Sequence, residues 1–314
     1  MQGVRRHVQR DALAGQAVEC GHASAATFSA FAAFAVLVAT PYCARGDWSL
    51  GTDAAVRHDD NVGNAQFYSD KAADSTLDAR LSMFRLFTLG ESYSATIGGE
   101  LGGEVYRQLT GLNNASLDAT VALKKKWGLG AFAPWARAGL SVARFGYEDG
   151  YRNAWDYRAT LGAGQRISER WNVWADYAYE SRVATPQPEE VPGLSGDAYS
   201  QVSQSVAAHV EFSLTESAYL SMGVLRRHGD VVSTSTPNTT VFYASRALAE
   251  DPTFGPNAYA YKLTGNTLGL RLGVNYAWGA HTLLGCGFDR LDTHSEGGND
   301  YTRSIAEITW DYQF

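Results

Sequence analysis

Histidine, serine and acidic residues occur close together at two places in this chain of 314 residues. His58 is followed by two aspartates, and His294 is followed by Ser295 and, a few residues later, by Asp300. A serine hydroxyl that is activated by a histidine base can act as a nucleophile. Whether these residues can do such chemistry depends on the elements that position them.

The C-terminal segment shows which kind of element that is. Ala306, Ile308, Trp310, Tyr312 and Phe314 alternate with polar residues, and a β-strand sorts such a pattern onto one apolar and one polar face. A strand that ends on phenylalanine resembles the C-terminal signal of bacterial outer-membrane proteins, which the barrel-assembly machinery reads. The resemblance implies that Trp310, Tyr312 and Phe314 form an assembly signal and that this machinery is a partner.

The same alternation recurs along the chain, and the alternating segments come in pairs joined by short turns. A transmembrane strand needs roughly ten residues, which is about the length of these segments. The sequence predicts about twelve strands, in 48–57, 77–83, 93–105, 115–123, 136–142, 155–163, 171–179, 206–214, 218–224, 268–276, 284–288 and 306–314.

The connections between these strands alternate in length. Short turns are predicted near 89–92, 127–134, 168–170, 215–217 and 277–281, and mostly longer loops at 58–76, 107–114, 146–154, 181–199, 228–260 and 291–301. Outer-membrane barrels have short periplasmic turns and longer extracellular loops. A spanning sheet must also close on itself, because lipid offers its backbone no hydrogen bonds. We therefore predict an all-β, antiparallel, up-and-down transmembrane barrel over residues 45–314, in the bacterial outer membrane.

Aromatic residues cluster at the predicted strand ends. Bilayer interfaces favour aromatic rings, so two girdles are expected, one at each interface. The expected periplasmic set is Trp48, Trp127, Trp135, Trp171, Trp278 and Trp310, and the expected extracellular set is Tyr106, Tyr147, Tyr199, Tyr261 and Tyr301. Outer-membrane lipid and lipopolysaccharide are then the partners of the outer face.

Residues 1–44 differ in pattern from the rest of the chain. Three arginines precede an uncharged run from Phe28 to Thr40, which ends near Ala44. This is the anatomy of a secretory signal peptide, and we predict removal of 1–44. The remaining residues hold 23 basic and 31 acidic side chains, after three basic and two acidic ones are taken from the 26 and 33 of the whole chain.

The acidic balance and the cysteine count exclude several classes of function. No basic face for nucleic acid is indicated. Cys286 is the one cysteine left after Ala44, so the sequence offers neither a disulfide framework nor a Cys/His metal site. We expect no cofactor and no metal.

If the apolar residues face lipid, the residues of opposite parity line the lumen. Their charges are nearly balanced, which predicts at most weak cation preference, since selective pores carry rings of one sign. The same charges could instead pair across a narrow interior and hold it shut. The predicted lining residues are Arg57, Arg80, Lys124, Arg137, Arg158, Arg166, Arg227, Arg271, Arg303, His209, Asp53, Asp78, Glu100, Glu104, Asp118, Asp156, Asp176, Glu180, Glu211, Asp289, Glu307 and Asp311.

These features favour a porin-like channel for small solutes, with loop 228–260 as a candidate lid. An assembly or secretion barrel that engages a surface protein is the alternative. An outer-membrane lipid hydrolase is the second alternative. Outer-membrane phospholipase A carries His-x-Ser-Asn-Gly, and His294 and Ser295 depart from that spacing, so we predict no enzyme and a solvated loop at both histidines.

The segment from His58 to Ala65, His-Asp-Asp-Asn-Val-Gly-Asn-Ala, lies at the first predicted loop. It resembles a first-hairpin pattern of outer-membrane porins without an assigned substrate. It is also similar to the start of the barrel in surface lipoprotein assembly modifiers, whose helical repeats before the barrel this sequence lacks. The resemblance implies a barrel and no particular solute.

Overall fold

The computed structural model describes residues 48–314. The predicted signal peptide, 1–44, and residues 45–47 lie outside this described part of the chain. Among the described residues, no helix is long and apolar enough to cross a membrane.

Twelve antiparallel strands close into an up-and-down barrel, which confirms the predicted architecture. Each strand pairs with its neighbours in the chain, and the first and last strands pair with each other, with Ala54 opposite Trp310. The barrel strands are β1 (Trp48–Asp59), β2 (Asp74–Leu89), β3 (Tyr93–Tyr106), β4 (Asn114–Lys126), β5 (Trp135–Tyr147), β6 (Ala154–Arg166), β7 (Trp171–Ala184), β8 (Gln201–Ser213), β9 (Ala218–Ser235), β11 (Tyr259–Trp278), β12 (Thr282–Ser295) and β13 (Tyr301–Gln313).

The strands are longer than the alternation predicted, mainly at the extracellular end. The prediction of a loop over 228–260 is wrong in part, because β9 continues to Ser235 and β11 begins at Tyr259. Outward residues become polar there, as at His228 and Asn266, so the apolar alternation stops before the strand does. Between these strands lie helix α1 (Thr239–Ala244) and the short strand β10 (Ala247–Glu250), which pairs with β11.

The connections at the two ends of the barrel differ less in length than predicted. The turn at 127–134 has eight residues, whereas the loops at 148–153 and 296–300 have six and five. The longer strands shorten these loops. The clearer difference is that the extracellular loops pack against one another over the mouth.

The outer face of the barrel is apolar, as parity predicted. Leu117, Leu140, Leu161, Leu272 and Ile308 each keep 59–65% of their surface exposed, although such residues are usually buried in a water-soluble fold. A closed sheet with this outer face is suited to lipid.

The periplasmic girdle is largely confirmed. Trp48, Trp127, Trp171, Trp278 and Trp310 are exposed at that end of the barrel. Two cations join them on the outer face. The Arg85 guanidinium lies 5.8 Å from the Trp48 ring and 4.9 Å from the Phe87 ring, and Lys125 Nζ lies 5.3 Å from the Trp127 ring. Trp135 is the exception, because its parity on β5 is that of Arg137 and it faces the lumen.

Candidate pore and its extracellular cap

The predicted extracellular girdle is wrong. Tyr147, Tyr199, Tyr261 and Tyr301 are 2–7% exposed, and Tyr106 packs beside buried Leu112. Four of these tyrosines lie at strand ends and share the parity of lumen residues, so Tyr301 points to the same side as Arg303, whereas Tyr199 lies in the loop before β8. The tyrosine rings therefore pack within or beneath the extracellular loops and do not face lipid.

Six loops form a layer over the extracellular mouth, which we call the cap: 60–73, 107–113, 148–153, 185–200, 236–258 and 296–300. The first loop crosses to β9. The Asn64 side-chain amide donates to Val232 O at 3.0 Å, the Ser233 hydroxyl donates to Asn64 O at 2.8 Å, and Thr234 N donates to Gly63 O at 2.7 Å. Since β9 lies four strands from β1 around the barrel, this loop spans part of the opening.

The loop after β9 crosses in another direction and is held by a buried ion pair. Asp251 pairs with Arg152 of the loop after β5, and the two side chains are 0% and 1% exposed. The Thr234 hydroxyl donates to Asp251 Oδ2 at 2.8 Å, and the Arg152 guanidinium lies 4.2 Å from the Tyr199 ring. Cap segments from well-separated parts of the barrel rim therefore meet over the lumen.

An apolar core supports these contacts. Val231 and Leu263 on the inner face of the barrel pack with Val241, Leu248 and Tyr261. Val62 and Leu112 form a smaller cluster, with Phe254 packed against it. The cap is thus a folded layer with buried side chains of its own.

Below the cap, one side of the lumen carries a connected network of charges, which we call the networked wall. Arg57 on β1 reaches Glu104 at 3.1 Å, Asp78 at 3.6 Å and Glu307 at 3.6 Å. Arg80 reaches Asp78 at 2.8 Å and Glu100 at 3.7 Å. Arg271 pairs with Glu307 and with Asp289. Each arginine contacts at least two carboxylates, and because the three arginines face five carboxylates, this wall is densely paired and keeps an excess of two negative charges.

The other side, on β4 to β8, has separate pairs that water reaches, and we call it the solvated wall. Arg158 lies 3.3 Å from Glu180, and Arg137 lies 3.7 Å from Asp176. The side chains of Glu180 and Asp156 keep 29% and 30% of their surface exposed although they point inward. Asp118 accepts a hydrogen bond from the Thr120 hydroxyl at 2.9 Å.

The remaining predicted lining residues also point inward but have local partners. Arg303 binds Asp59 below the cap at 2.5–2.6 Å, Arg227 donates to Asp230 O, and Arg166 donates to turn carbonyls at Ser168 and Glu169. Glu211 accepts a hydrogen bond from the Asn172 side chain at 3.1 Å, and Asp311 lies opposite Asp53. His209 lies beside Asp176. Lys124 Nζ lies 4.4 Å from the Trp135 ring.

The sequence prediction did not place Trp174 among the inward residues. Trp174 lies on β7 between Val173 and Ala175, and it stacks on His209 with ring centroids 4.8 Å apart. Parity would have revealed it, because Val173 and Ala175 belong to the outward set.

The two candidate catalytic histidines have separate partners. His58 Nδ1 lies 3.0 Å from the Ser75 hydroxyl, and His294 Nδ1 lies 3.0 Å from Asp300. The Ser295 hydroxyl donates to Asn299 O at 2.5 Å and not to a histidine. The described contacts therefore do not assemble a nucleophile with its base. Among residues 48–314, no group of three His, Cys, Asp or Glu side chains could hold a metal ion.

The residues of the predicted assembly signal lie in sequence on the outer face of β13. Trp310 stacks on Tyr312 at 6.0 Å, and Tyr312 meets Phe314 edge-on at 5.0 Å. Phe314 N donates to Leu50 O on β1, which ties the end of the chain to the closing strand pair.

No protein-family model and no curated protein matches the chain. An outer membrane channel from Pseudomonas putida F1 is 11% identical and aligns over 87% of this chain and 98% of its own, with a TM-score of 0.57. The NanC porin is 11% identical over 83% of this chain and 100% of its own, with a TM-score of 0.42. The KdgM porin in complex with disordered oligogalacturonate is 9% identical over 84% of this chain and 99% of its own, with a TM-score of 0.43.

The channel from Pseudomonas putida F1 has the same barrel fold as this chain. The apolar outer face described above explains physically why this barrel lies in a membrane. Residues 48–314 form a transmembrane β-barrel of the bacterial outer membrane.

Proposed function

We propose that the protein is a porin-like channel that passes small solutes with weak cation preference, and that the cap closes its extracellular mouth. One observation carries the proposal: inward carboxylates of the solvated wall, Asp156 and Glu180, keep about 30% of their surface accessible to water. A fully packed interior would bury them, and a buried carboxylate would need strong partners.

The balance of charge supports the expected selectivity. The networked wall has five carboxylates against three arginines and so keeps an excess of two negative charges. The solvated wall adds a smaller excess of the same sign. It presents Arg137 and Arg158 together with the carboxylates of Asp118, Asp156, Asp176 and Glu180. On the solvated wall, Arg182 pairs with Asp156 at 4.0 Å, which leaves that wall with an excess of one negative charge. A weak excess predicts weak selectivity.

The fold by itself does not choose among channel, assembly factor and hydrolase, because one barrel architecture hosts all three. Recordings in planar bilayers test the proposal directly. The wild-type protein should give stepwise conductance, and replacing 239–256 with a short Gly-Ser linker should lengthen the open periods because the cap loses its central segment.

A matched control replaces 128–133, a turn at the opposite end of the barrel, with a linker of equal length. This control should conduct as the wild type does. If neither the wild type nor the 239–256 variant conducts although the barrel is correctly folded, the channel proposal is wrong. The assembly or secretion alternative is then favoured.

A further inference from the structure

We propose that the periplasmic half of the lumen holds a binding subsite for small organic anions that carry a flat apolar face. The subsite consists of Trp135, Trp174 and His209 with the neighbouring cations Lys124 and Arg137. It rests on the proposed channel function, since such a ligand reaches these residues through the lumen.

The aromatic residues of the subsite lie in one register row across neighbouring strands. Trp135 pairs in register with Gly164, Gly164 with Trp174, Trp174 with His209, and His209 with Gly223. The Trp174 and His209 rings are nearly parallel, at 10°. We call this row of inward side chains, Trp135, Trp174 and His209, the aromatic strip.

Glycine at position 164 makes this arrangement possible. A Cβ atom there would lie 2.5 Å from Trp174 Cβ and 2.8 Å from Trp135 Cζ2, which is closer than packed atoms come. The missing side chain leaves room for the Trp135 ring beside the Trp174 side chain. Any larger residue would force them apart.

The indoles of Trp135 and Trp174 point into the lumen, which is an unusual place for tryptophan in a barrel. Tryptophan in a barrel usually lies in the outer girdle, where lipid and headgroups meet its ring, as Trp171 does on the same strand. Trp135 and Trp174 are half-buried and point into a polar lumen instead. Aromatic rings there offer apolar surface to a solute, because flat groups stack on them favourably.

Cations lie along the next row of inward residues. Lys124, Arg137, Gly162 and Asp176 are neighbours in register. Lys124 Nζ lies 4.4 Å from the Trp135 ring, and the space above Gly162 is bounded by the Asp176 carboxylate. An anionic group at this row would meet Lys124 and Arg137 while its apolar part lies on the aromatic strip.

The carboxylates near the strip are already engaged. Asp176 lies between Arg137, at 3.7 Å, and His209 Nε2, at 3.2 Å. Glu211 accepts from Asn172. The two aspartates that face each other across β1 and β13, Asp53 and Asp311, lie on the other side of the lumen. An organic anion is therefore drawn toward the strip and away from that side.

The test measures binding of benzoate, glucuronate and benzyl alcohol to the folded full-length barrel in detergent, by calorimetry. Benzoate or glucuronate should bind, and neutral benzyl alcohol should bind at least about tenfold more weakly, since it lacks the charge. Tighter benzoate binding identifies aromatic acids as the class, and tighter glucuronate binding identifies acidic sugars.

Trp174→Ala should weaken binding of the preferred anion about tenfold, and Lys124→Gln with Arg137→Gln should remove the preference for the anion. The matched control is Trp171→Ala, a lipid-facing change three residues away on β7, which should leave binding unchanged. Native folding of every variant is checked by heat-modifiable migration.

Two outcomes separate the subsite from the channel. Stepwise conductance with no anion binding, or with equal binding to the wild type and Trp174→Ala, would overturn the subsite and leave the channel standing. Binding that depends on Trp174 in a barrel that never conducts would support the subsite and overturn the channel.

Discussion

At the scale of single residues, two luminal carboxylates that look alike in the sequence have different surroundings. Glu104 accepts hydrogen bonds from Arg57 at 3.1 Å and from Asn114 at 3.0 Å. Asp118, on the next strand, has the Thr120 hydroxyl as its hydrogen-bond partner. The first carboxylate belongs to the networked wall and the second faces the solvated wall, so their removal should have different effects.

Glu104→Gln should lower the free energy of unfolding by about 1.5–3 kcal/mol, because Arg57 loses a charged hydrogen bond. Asp118→Asn should leave stability nearly unchanged and shift the reversal potential toward anions, because a negative charge leaves the solvated wall. Denaturant unfolding and reversal potentials under a salt gradient measure the two effects. Equal stability losses for both variants would contradict the division into two walls.

At the scale of elements, loop 236–258 is the part of the cap whose contacts can be tested separately. Loop 236–258 carries α1, which Asn238 caps by accepting from Thr240 N and Val241 N, and it docks on the loop after β5 through Asp251 and Arg152. Removing one partner of a buried ion pair leaves the other charge uncompensated.

Asp251→Asn should therefore weaken docking of the loop by about 3–5 kcal/mol while the strands below stay intact. Hydrogen exchange in 236–258 should become faster, and the channel should open for longer in bilayers. Glu250→Gln, an exposed change at the adjacent position, serves as the control and should do neither. Unchanged exchange in the Asp251 variant would show that the apolar core alone holds the cap.

At the scale of the whole molecule, the last strand closes the barrel against the first. Phe314 contributes an exposed ring to the outer face of β13 and a backbone hydrogen bond to Leu50 on β1. The assembly signal remains a prediction from the resemblance of the last strand to other outer-membrane proteins.

Deletion of Phe314, or Phe314→Asp, should lower the yield of heat-modifiable barrel in the outer membrane, because the terminal aromatic residue of the signal is lost. Phe314→Tyr keeps the ring and should insert normally. If the deletion variant reaches wild-type yield, the recognition element lies elsewhere in the chain.

The sequence alone determined the strands, their number and the two faces of the wall. Strand alternation is a property of neighbouring residues, since successive side chains point to opposite sides. Leu270 could therefore be assigned to lipid and Arg271 to the lumen without knowledge of the rest of the fold. The same parity rule could have placed Tyr301, Trp135 and Trp174 inside, had it been applied at the strand ends.

Only the tertiary structure decided which inward residues meet. The aromatic strip requires Trp135, Gly164, Trp174 and His209 to lie in one register row, and register is set by interactions between strands that no single segment encodes. The cap requires contacts such as that of Asp251 with Arg152, 99 residues apart in the chain. Alternation along a strand cannot indicate such pairs, because loops carry no repeating pattern. Which loop residues come into contact depends on which loops the closed barrel places next to each other.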